Sequence, residues 1–229
     1  MKRLTPTVLS LLFLTASAPG LADLQDVFPV LAEKESIADS TRVGIDPEAL
    51  TLPYDADLTV YFIGEGAGYK NSFGWYDAAT DPRLEENRNM VWRNASGTGE
   101  GLAGGGNLDL GASVDIGSFE ADTTLGFFLV ANGYNNPGNW MYTTQDDLNP
   151  DGISHVVAGL LPEEGLLAIG FEDLFGGGDR DFNDLVIAID IGVQNATAIA
   201  AAAPEPEILA MLVLGLFGVY FKTRKQAQA

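Results

Sequence analysis

Short apolar runs, separated by clusters of glycine, asparagine, aspartate and proline, make up the middle of this chain. From residue 57 onwards many of them alternate apolar and polar positions and are rich in β-branched and aromatic side chains, which is typical of half-buried strands. We therefore predict an all-β domain over residues 57–192, an antiparallel β-sandwich of the jelly-roll type. Its strands are predicted within residues 57–64, 89–94, 112–119, 124–133, 154–161, 166–173 and 184–191.

The N-terminal residues 1–22 have the layout of a secretory signal peptide. Lys2 and Arg3 precede an apolar run, and small residues follow it before Asp23. Residues 23–56 carry few strand signals. They are predicted to form an arm or the first part of the domain.

A second apolar run lies near the C-terminus, where residues 206–221 carry no basic side chain and one acidic side chain. Pro206 suits the first turn of a helix. A helix of this length measures about 24 Å, slightly less than the hydrocarbon core of about 30 Å. Basic residues follow at once, so the positive-inside rule keeps that end cytoplasmic and the domain outside. The sequence thus predicts a short transmembrane helix.

This tail, residues 204–229, resembles the PEP-CTERM sorting signal of Gram-negative bacteria. The resemblance implies recognition by an exosortase, transient insertion in the inner membrane, and export to the cell surface or exterior once the helix is removed. Residues 193–203 are then predicted to be a spacer, and a plain tail anchor is the alternative. The residues that carry the resemblance are Pro204, Glu205, Pro206, Lys222, Arg224 and Lys225, with the apolar helix between them.

The charge of the chain limits its partners. The formal net charge is −20, and residues 23–203 alone carry 30 acidic and 7 basic side chains. Such a surface repels nucleic acid and anionic lipid and attracts cations. The chain has no cysteine, so disulfides cannot brace an exported domain, and a bound metal ion is the obvious substitute.

The densest acidic segment is the acidic loop, residues 172–184, between two strands that are predicted to pair as a hairpin. Glycines 176–178 permit a tight turn or positive φ angles. The D-x-D-x-N spacing resembles the start of an EF-hand loop, but Asp184 replaces its glycine and strands flank it. Carboxylate and amide oxygens suit Ca²⁺, although a catalytic carboxylate pair or a bland polar turn is also possible. The predicted ligands are Asp179, Asp181, Asn183 and Asp184, with Glu172 and Asp173 as further contributors.

Three other features admit a plain structural interpretation. Glu65 and Asn71 lie in a glycine-rich segment, residues 64–76, that is predicted to be a turn or a second contributor to the cation site. His155, the one histidine of the chain, cannot form a zinc cluster by itself and is predicted to have a hydrogen-bonded structural role. Core packing is favoured over a sugar-binding face for the aromatic residues Tyr69, Trp75, Tyr76, Trp92, Trp140 and Tyr142.

Four sequence blocks resemble the domain of unknown function 4114 of secreted bacterial proteins. In order they are VYFIGEGAGYKNSFGWY, LGFFLVANG, NPDGISHV and GFEDLFGGGDRDFNDLVIAI, and they span about residues 57–191. The resemblance implies an extracellular β-rich module whose acidic loop supplies calcium ligands. It implies no reaction.

The sequence therefore predicts an exported, calcium-binding, non-catalytic module of the cell surface or the biofilm matrix. One alternative is a carbohydrate-binding module for exopolysaccharide, because sandwiches of this type often serve as lectins. Another is a glycosidase that uses two carboxylates. Since the sequence carries no G-x-S-x-G motif, no H-E-x-x-H motif and no Cys–His pair, we do not expect an enzyme.

Overall fold

The computed structural model describes residues 43–98 and 105–203, which form ten strands and one α-helix. Three 3₁₀ turns, Pro47–Ala49, Glu85–Asn87 and Asp146–Leu148, lie between the strands. The helix, α1, is Val193–Ala202. The strands are β1 Val43–Ile45, β2 Ala56–Gly64, β3 Ser72–Asp77, β4 Asn89–Trp92, β5 Ser113–Phe119, β6 Leu125–Val130, β7 Met141–Thr143, β8 Val156–Leu161, β9 Leu166–Phe171 and β10 Leu185–Asp190.

Two antiparallel sheets pack face to face. The first has six strands in the order β1-β8-β9-β10-β2-β5, and the second has four in the order β4-β3-β6-β7. Each of the seven predicted runs contains one of these strands. The prediction of an all-β, sandwich-like antiparallel domain is therefore confirmed.

The strand order differs from the predicted jelly-roll connectivity. A jelly roll combines eight strands in two Greek keys, whereas here β8, β9 and β10 follow one another along the chain and lie side by side in one sheet. Strand β2 then lies against β10, although the whole second sheet separates them along the chain. Strands β8 and β9 are joined by the short turn 162–165, and β9 and β10 by the acidic loop, so this three-stranded meander stays within one layer.

Strand β3 was not predicted, because it lies in the segment that reads as a glycine-rich turn. Four of its six residues are buried, so the strand shows no alternation of apolar and polar positions. A Cβ atom at Gly74 would come within 2.4 Å of the Asn89 carbonyl oxygen and 2.5 Å of the Phe128 ring. The glycine is therefore a packing requirement of a central strand. The short strands β1 and β7 were also missed.

The main core lies between the two sheets. Phe73 of β3 stacks on Phe127 with ring centroids 6.1 Å apart, and it meets the edge of Phe171 from the opposite sheet at 5.9 Å. Trp92 lies 6.0 Å from Phe73 and 6.3 Å from Phe62. Burying each of these rings contributes about 1.5–3 kcal/mol. This cross-sheet cluster includes Phe171, the last residue of β9, and so fixes the point at which the acidic loop begins.

Residues 193–203 differ from the expected spacer, since they form α1 and pack against the sandwich. Ala196 is fully buried and joins the main core. The Asn195 side chain accepts a hydrogen bond from the Tyr54 N–H at 2.9 Å and donates to the Ile191 carbonyl at 2.9 Å. The alanine-rich sequence favours a helix, and its buried face makes it part of the domain.

The described part of the predicted N-terminal arm, residues 43–56, also belongs to the domain. Strand β1 pairs with β8, and the Leu50 and Leu52 side chains are buried in the main core. The predicted signal peptide, residues 1–22, and the predicted sorting signal, residues 204–229, lie outside the described residues. Within the residues that are described, no helix is long and apolar enough to cross a membrane.

Candidate metal site

The acidic loop joins β9 to β10, and these two strands pair as the sequence predicts. Their register runs from Leu185 opposite Phe171 to Asp190 opposite Leu166. The first and last residues of the loop, Glu172 and Asp184, therefore face each other where the pairing stops. The hairpin carries the loop at one end of the sandwich.

Much of the loop backbone is left-handed. Gly176, Gly177 and Gly178 have φ angles of +85°, +81° and +45°. Arg180 and Phe182 also have positive φ, at 64° and 54°, a conformation that is uncommon for residues with a Cβ. Such residues persist where surrounding contacts fix them, and they cluster at ligand-binding sites.

Three carboxylates converge in this loop. Within the described part of the chain, Glu172, Asp179 and Asp181 each place one oxygen within 4.8 Å of the other two. Two oxygens that bind one Ca²⁺ ion at about 2.4 Å can lie at most about 4.8 Å apart. The spacing of this three-carboxylate cluster therefore permits all three side chains to share a single ion.

Glu172 is the buried member of the cluster, with 1% of its surface exposed. Its Oε1 atom accepts a hydrogen bond from the Phe182 N–H at 2.9 Å, but its buried Oε2 atom has no hydrogen-bond partner in the described part of the chain. Burial raises the pKa of Glu172 to about 7, and the nearby carboxylates add to the rise. An unpartnered charged oxygen is costly to bury, so this position requires a proton or a cation.

Gly178 makes the approach to Glu172 possible. A Cβ atom at this position would lie 2.3 Å from the Glu172 Oε2 atom. Any other residue would therefore push the loop away from the buried carboxylate. A Cβ atom at Gly177, in contrast, would have the Ile153 side chain as its nearest neighbour, at 3.2 Å.

A second acidic pair lies beside the cluster. The Asp184 carboxylate accepts the Asp173 N–H at 2.8 Å, and the Asp173 carboxylate accepts the Asn71 side-chain amide at 2.8 Å. Asn71 in turn accepts the Asn132 N–H at 2.9 Å. Burial raises the pKa of both aspartates, and their proximity adds to the rise at Asp173. This pair ties the hairpin to the loops of the four-stranded sheet.

Asn183 braces the cluster from its other side. Its side-chain amide donates to the Asp181 carboxylate at 2.6 Å, while its carbonyl accepts the Gly66 N–H at 2.8 Å. A Cβ atom at Gly66 would lie 2.4 Å from the Asn183 Oδ1 atom. The glycine-rich segment after β2 therefore holds Asn183, and Asn183 orients Asp181.

His155 connects β8 to the acidic loop, as expected for a structural histidine. Its Nδ1 atom donates to the Glu172 carbonyl at 3.1 Å, and its Nε2 atom lies 3.0 Å from the Asp151 carboxylate. The ring stacks on Tyr142 at 3.8 Å. Burial alone would raise the pKa of Asp151, but the Gly176 N–H and His155 outweigh it and lower that pKa. Asp151 thus anchors the loop tip, because the Gly176 N–H donates to it at 2.7 Å.

The structure divides the six predicted ligands into three groups. Glu172, Asp179 and Asp181 form the cluster. Asp173 and Asp184 form the adjacent pair, and Asn183 orients Asp181. Sequence reasoning missed Asp151, whose setting in Asn149–Gly152 looks like an ordinary turn.

Neither of the other two candidate cation ligands is a member of the three-carboxylate cluster. Asn71 supports Asp173. Glu65 is buried, and it lies 3.4 Å from both the Ser96 hydroxyl and the Gly97 N–H. The glycine-rich segment contributes to the site through Gly66 and Asn71 as supports.

The aromatic residues do not form one sugar-binding face. Tyr76, Trp92 and Tyr142 are buried. Trp75 meets the edge of Phe119 at 4.9 Å and is half-buried. The remaining two, Tyr69 and Trp140, are exposed, so core packing accounts for most of the set.

The fold and the loop together define a β-sandwich module that carries at one end an acidic hairpin loop in which Glu172 and Asp173 are buried. Residues 119–192 match the family described as domain of unknown function DUF4114. The match runs from the end of β5 to just beyond β10 and includes the whole acidic loop, whereas β2, β3 and β4 complete the same sheets outside it. No curated protein and no solved structure matches this chain.

Proposed function

We propose that this protein is an exported, non-catalytic module of the cell surface or extracellular matrix, and that its acidic loop binds Ca²⁺. The observation that carries the proposal is the buried Glu172 side chain. Its Oε2 atom has no hydrogen-bond partner, and oxygens of Asp179 and Asp181 lie within the span of one ion. A cation at this point satisfies the orphaned oxygen and offsets the repulsion among three carboxylates.

The donor set favours a hard cation. The cluster contains only carboxylates, with neither histidine nor cysteine among its members, and such ligands suit Ca²⁺ or Mg²⁺ rather than zinc. Ca²⁺ accepts six to eight oxygens in a flexible geometry, whereas Mg²⁺ demands a near-ideal octahedron. Three side chains on an irregular loop, completed by carbonyl groups and water, suit the more tolerant ion.

Calcium would act as a brace. Binding joins both ends of the acidic loop, since Glu172 follows β9 and Asp179 and Asp181 lie ahead of β10. Extracellular calcium modules bind with Kd values of about 10⁻⁴–10⁻³ M. At a free concentration of 100 Kd, a ligand that binds only the folded state stabilises it by about 2.7 kcal/mol. A chain without cysteine gains from such a brace outside the cell.

The sequence supports the export part of the proposal. The signal-peptide layout of residues 1–22 and the PEP-CTERM-like tail, residues 204–229, imply secretion, an exosortase as transient partner, and passage through the inner membrane. Matrix components such as exopolysaccharide are then the proposed neighbours of the mature protein. The acidic surface argues against nucleic acid.

The test is a calcium titration of the exported, processed protein by isothermal calorimetry, with melting curves in EDTA and in Ca²⁺. We expect one ion to bind and the melting temperature to rise. Glu172→Gln should abolish both effects, whereas the exposed Glu120→Gln serves as the matched control and should retain them. A wild-type protein whose heat signal and melting curve ignore Ca²⁺ would overturn the proposal.

A further inference from the structure

The outer face of the four-stranded sheet carries a groove. None of the described residues that line it belongs to the three-carboxylate cluster. The groove consists of two adjoining cavities of about 470 and 570 Å³. Arg88, Val130, Pro137 and Gly138 line both cavities and so form their common wall. Each volume lies in the range of about 300–1,000 Å³ that is usual for small-molecule sites. We name this feature the basic groove.

Positive charge outweighs negative charge in the lining of the basic groove, where Glu85 is the one acidic residue that the structure describes. The described residues include five basic side chains, and Arg83, Arg88 and Arg93 line the two cavities. The chain has a net charge of −20, so its surface is acidic in general and attracts cations. The charge of the groove is therefore opposite to that of its surroundings.

Two of these arginines have no carboxylate partner among the residues that the structure describes. Arg83 is neutralised by Asp81, with an N–O distance of 2.9 Å. No carboxylate among the described residues lies within ion-pair distance of Arg88 or Arg93. Moreover, the Arg88 Nε atom is buried and has no hydrogen-bond partner. A buried N–H without an acceptor is costly, and an acceptor supplied by a ligand would satisfy it.

Exposed aromatic side chains flank the arginines. Trp140 lines the larger cavity and Tyr134 the smaller, and they are 50% and 54% exposed. The Trp140 ring packs against Phe175 at 4.8 Å, and the Lys70 ammonium lies 5.8 Å above the Tyr134 ring. These contacts orient both rings before any ligand arrives, which reduces the ordering cost of binding.

We propose that the basic groove binds an anionic oligosaccharide whose sugars carry carboxylate groups. The guanidinium groups of Arg88 and Arg93 match the planar, bidentate geometry of a carboxylate. Trp140 and Tyr134 offer flat apolar faces against which pyranose rings can pack. The argument for this site does not rest on the calcium proposal, because no member of the three-carboxylate cluster lines either cavity.

The charge density of the ligand separates this class from nucleic acid. A uronate chain carries one charge per sugar ring, whereas duplex DNA carries one per about 1.7 Å of axis. A uronate chain therefore meets less repulsion per unit length from the acidic surface than duplex DNA does.

The test is calorimetric binding of hexagalacturonate to the exported, processed protein, at a fixed free Ca²⁺ concentration. A neutral glucan hexamer and hexaglutamate serve as the comparison ligands. We expect hexagalacturonate to bind and both comparison ligands to bind at least tenfold more weakly. Absence of hexagalacturonate binding, or equal binding of hexaglutamate, would overturn the proposal.

Variants then locate the binding. Arg88→Gln, Arg93→Gln and Trp140→Ala should each weaken hexagalacturonate binding at least tenfold while the calcium-dependent rise in melting temperature persists. Arg88→Lys keeps the charge but loses the bidentate geometry, so it should also weaken binding. Tyr54→Ala removes an exposed aromatic ring elsewhere and serves as the control that should bind like the wild type. Equal losses in Tyr54→Ala and the groove variants, or unchanged binding by Arg88→Lys, would overturn the proposal.

Discussion

Replacement of Glu172 by glutamine should stabilise the metal-free protein above neutral pH and should also remove its response to Ca²⁺. Glutamine retains an acceptor for the Phe182 N–H. Its amide NH₂ group replaces the unpartnered Oε2 atom and can donate towards Asp179 and Asp181. The same change deletes a carboxylate ligand. One substitution is therefore expected to act in opposite directions with and without the ion.

The magnitude follows from the pKa of Glu172, which burial and the neighbouring carboxylates raise from 4.5 to about 7. As pH rises from 4.5 to about 7, Glu172 loses its proton in the unfolded chain but keeps it in the folded protein. Stability is therefore present at low pH and is lost as pH rises. Since one pKa unit corresponds to about 1.4 kcal/mol, the loss above pH 7 is at most about 3 kcal/mol.

The assay is urea unfolding, followed by circular dichroism, of wild type and Glu172→Gln at pH 5 and pH 8, in EDTA and in Ca²⁺. In EDTA at pH 8 the variant should be more stable by up to about 3 kcal/mol. The difference should shrink at pH 5, where the folded wild type is protonated. Calcium should stabilise only the wild type, because the ion replaces the proton at the carboxylate. Glu120→Gln, at an exposed position, should behave like the wild type in all four conditions.

Two results would refute this reasoning. Equal stability of the metal-free proteins at pH 8 would mean that the Glu172 carboxylate is not destabilised by its burial. Stabilisation of the variant by Ca²⁺ to the same degree as the wild type would mean that the ion binds without this side chain. The comparison of EDTA with Ca²⁺ separates the two outcomes, since only the first concerns the metal-free protein.

Three further substitutions test the loop and its supports. Gly178→Ala should cost about 2 kcal/mol or more and weaken Ca²⁺ binding, because its Cβ meets the Glu172 carboxylate; Gly176→Ala, where nothing lies within 4 Å, should cost less in the same denaturation assay. Asp151→Asn should destabilise by about 1–3 kcal/mol, because His155 loses its charged partner; unchanged stability would contradict the anchoring role. Asn195→Ala should also cost about 1–3 kcal/mol by calorimetric melting, whereas a free spacer would show no change.

The strands that the sequence predicted share a visible signal. Strands such as β5 alternate exposed and partly buried positions, and the apolar runs of β9 and β10 are bounded by turn residues. Strand β3 lacks both signals, because it lies between two other strands with both faces covered and contains Gly74. Its identity depends on neighbours that are distant in sequence. Helix α1 was also missed. A short alanine-rich segment has the same sequence pattern whether it is a free spacer or a helix that packs against the domain.

The chemistry of the acidic loop was visible in the sequence, but its geometry was not. On an extended backbone the alternating side chains of Asp179, Asp181 and Asn183 would point to the same side. Instead, positive φ angles at Arg180 and Phe182 turn the chain so that Asp179 and Asp181 meet Glu172. These angles belong to residue types that rarely adopt them. They follow from tertiary contacts such as the Phe182 hydrogen bond to Glu172, which no local pattern reveals.

The loop and the basic groove meet at one contact. Phe175 belongs to the acidic loop, and its ring lies 4.8 Å from that of Trp140, which lines the groove. An ion that orders the loop would thereby fix one wall of the groove. Linkage then requires a ligand in the groove to strengthen ion binding by the same factor. On the two proposals above, the exposed Trp140–Phe175 pair is the contact through which an ion in the loop and an anionic ligand in the groove would strengthen each other's binding.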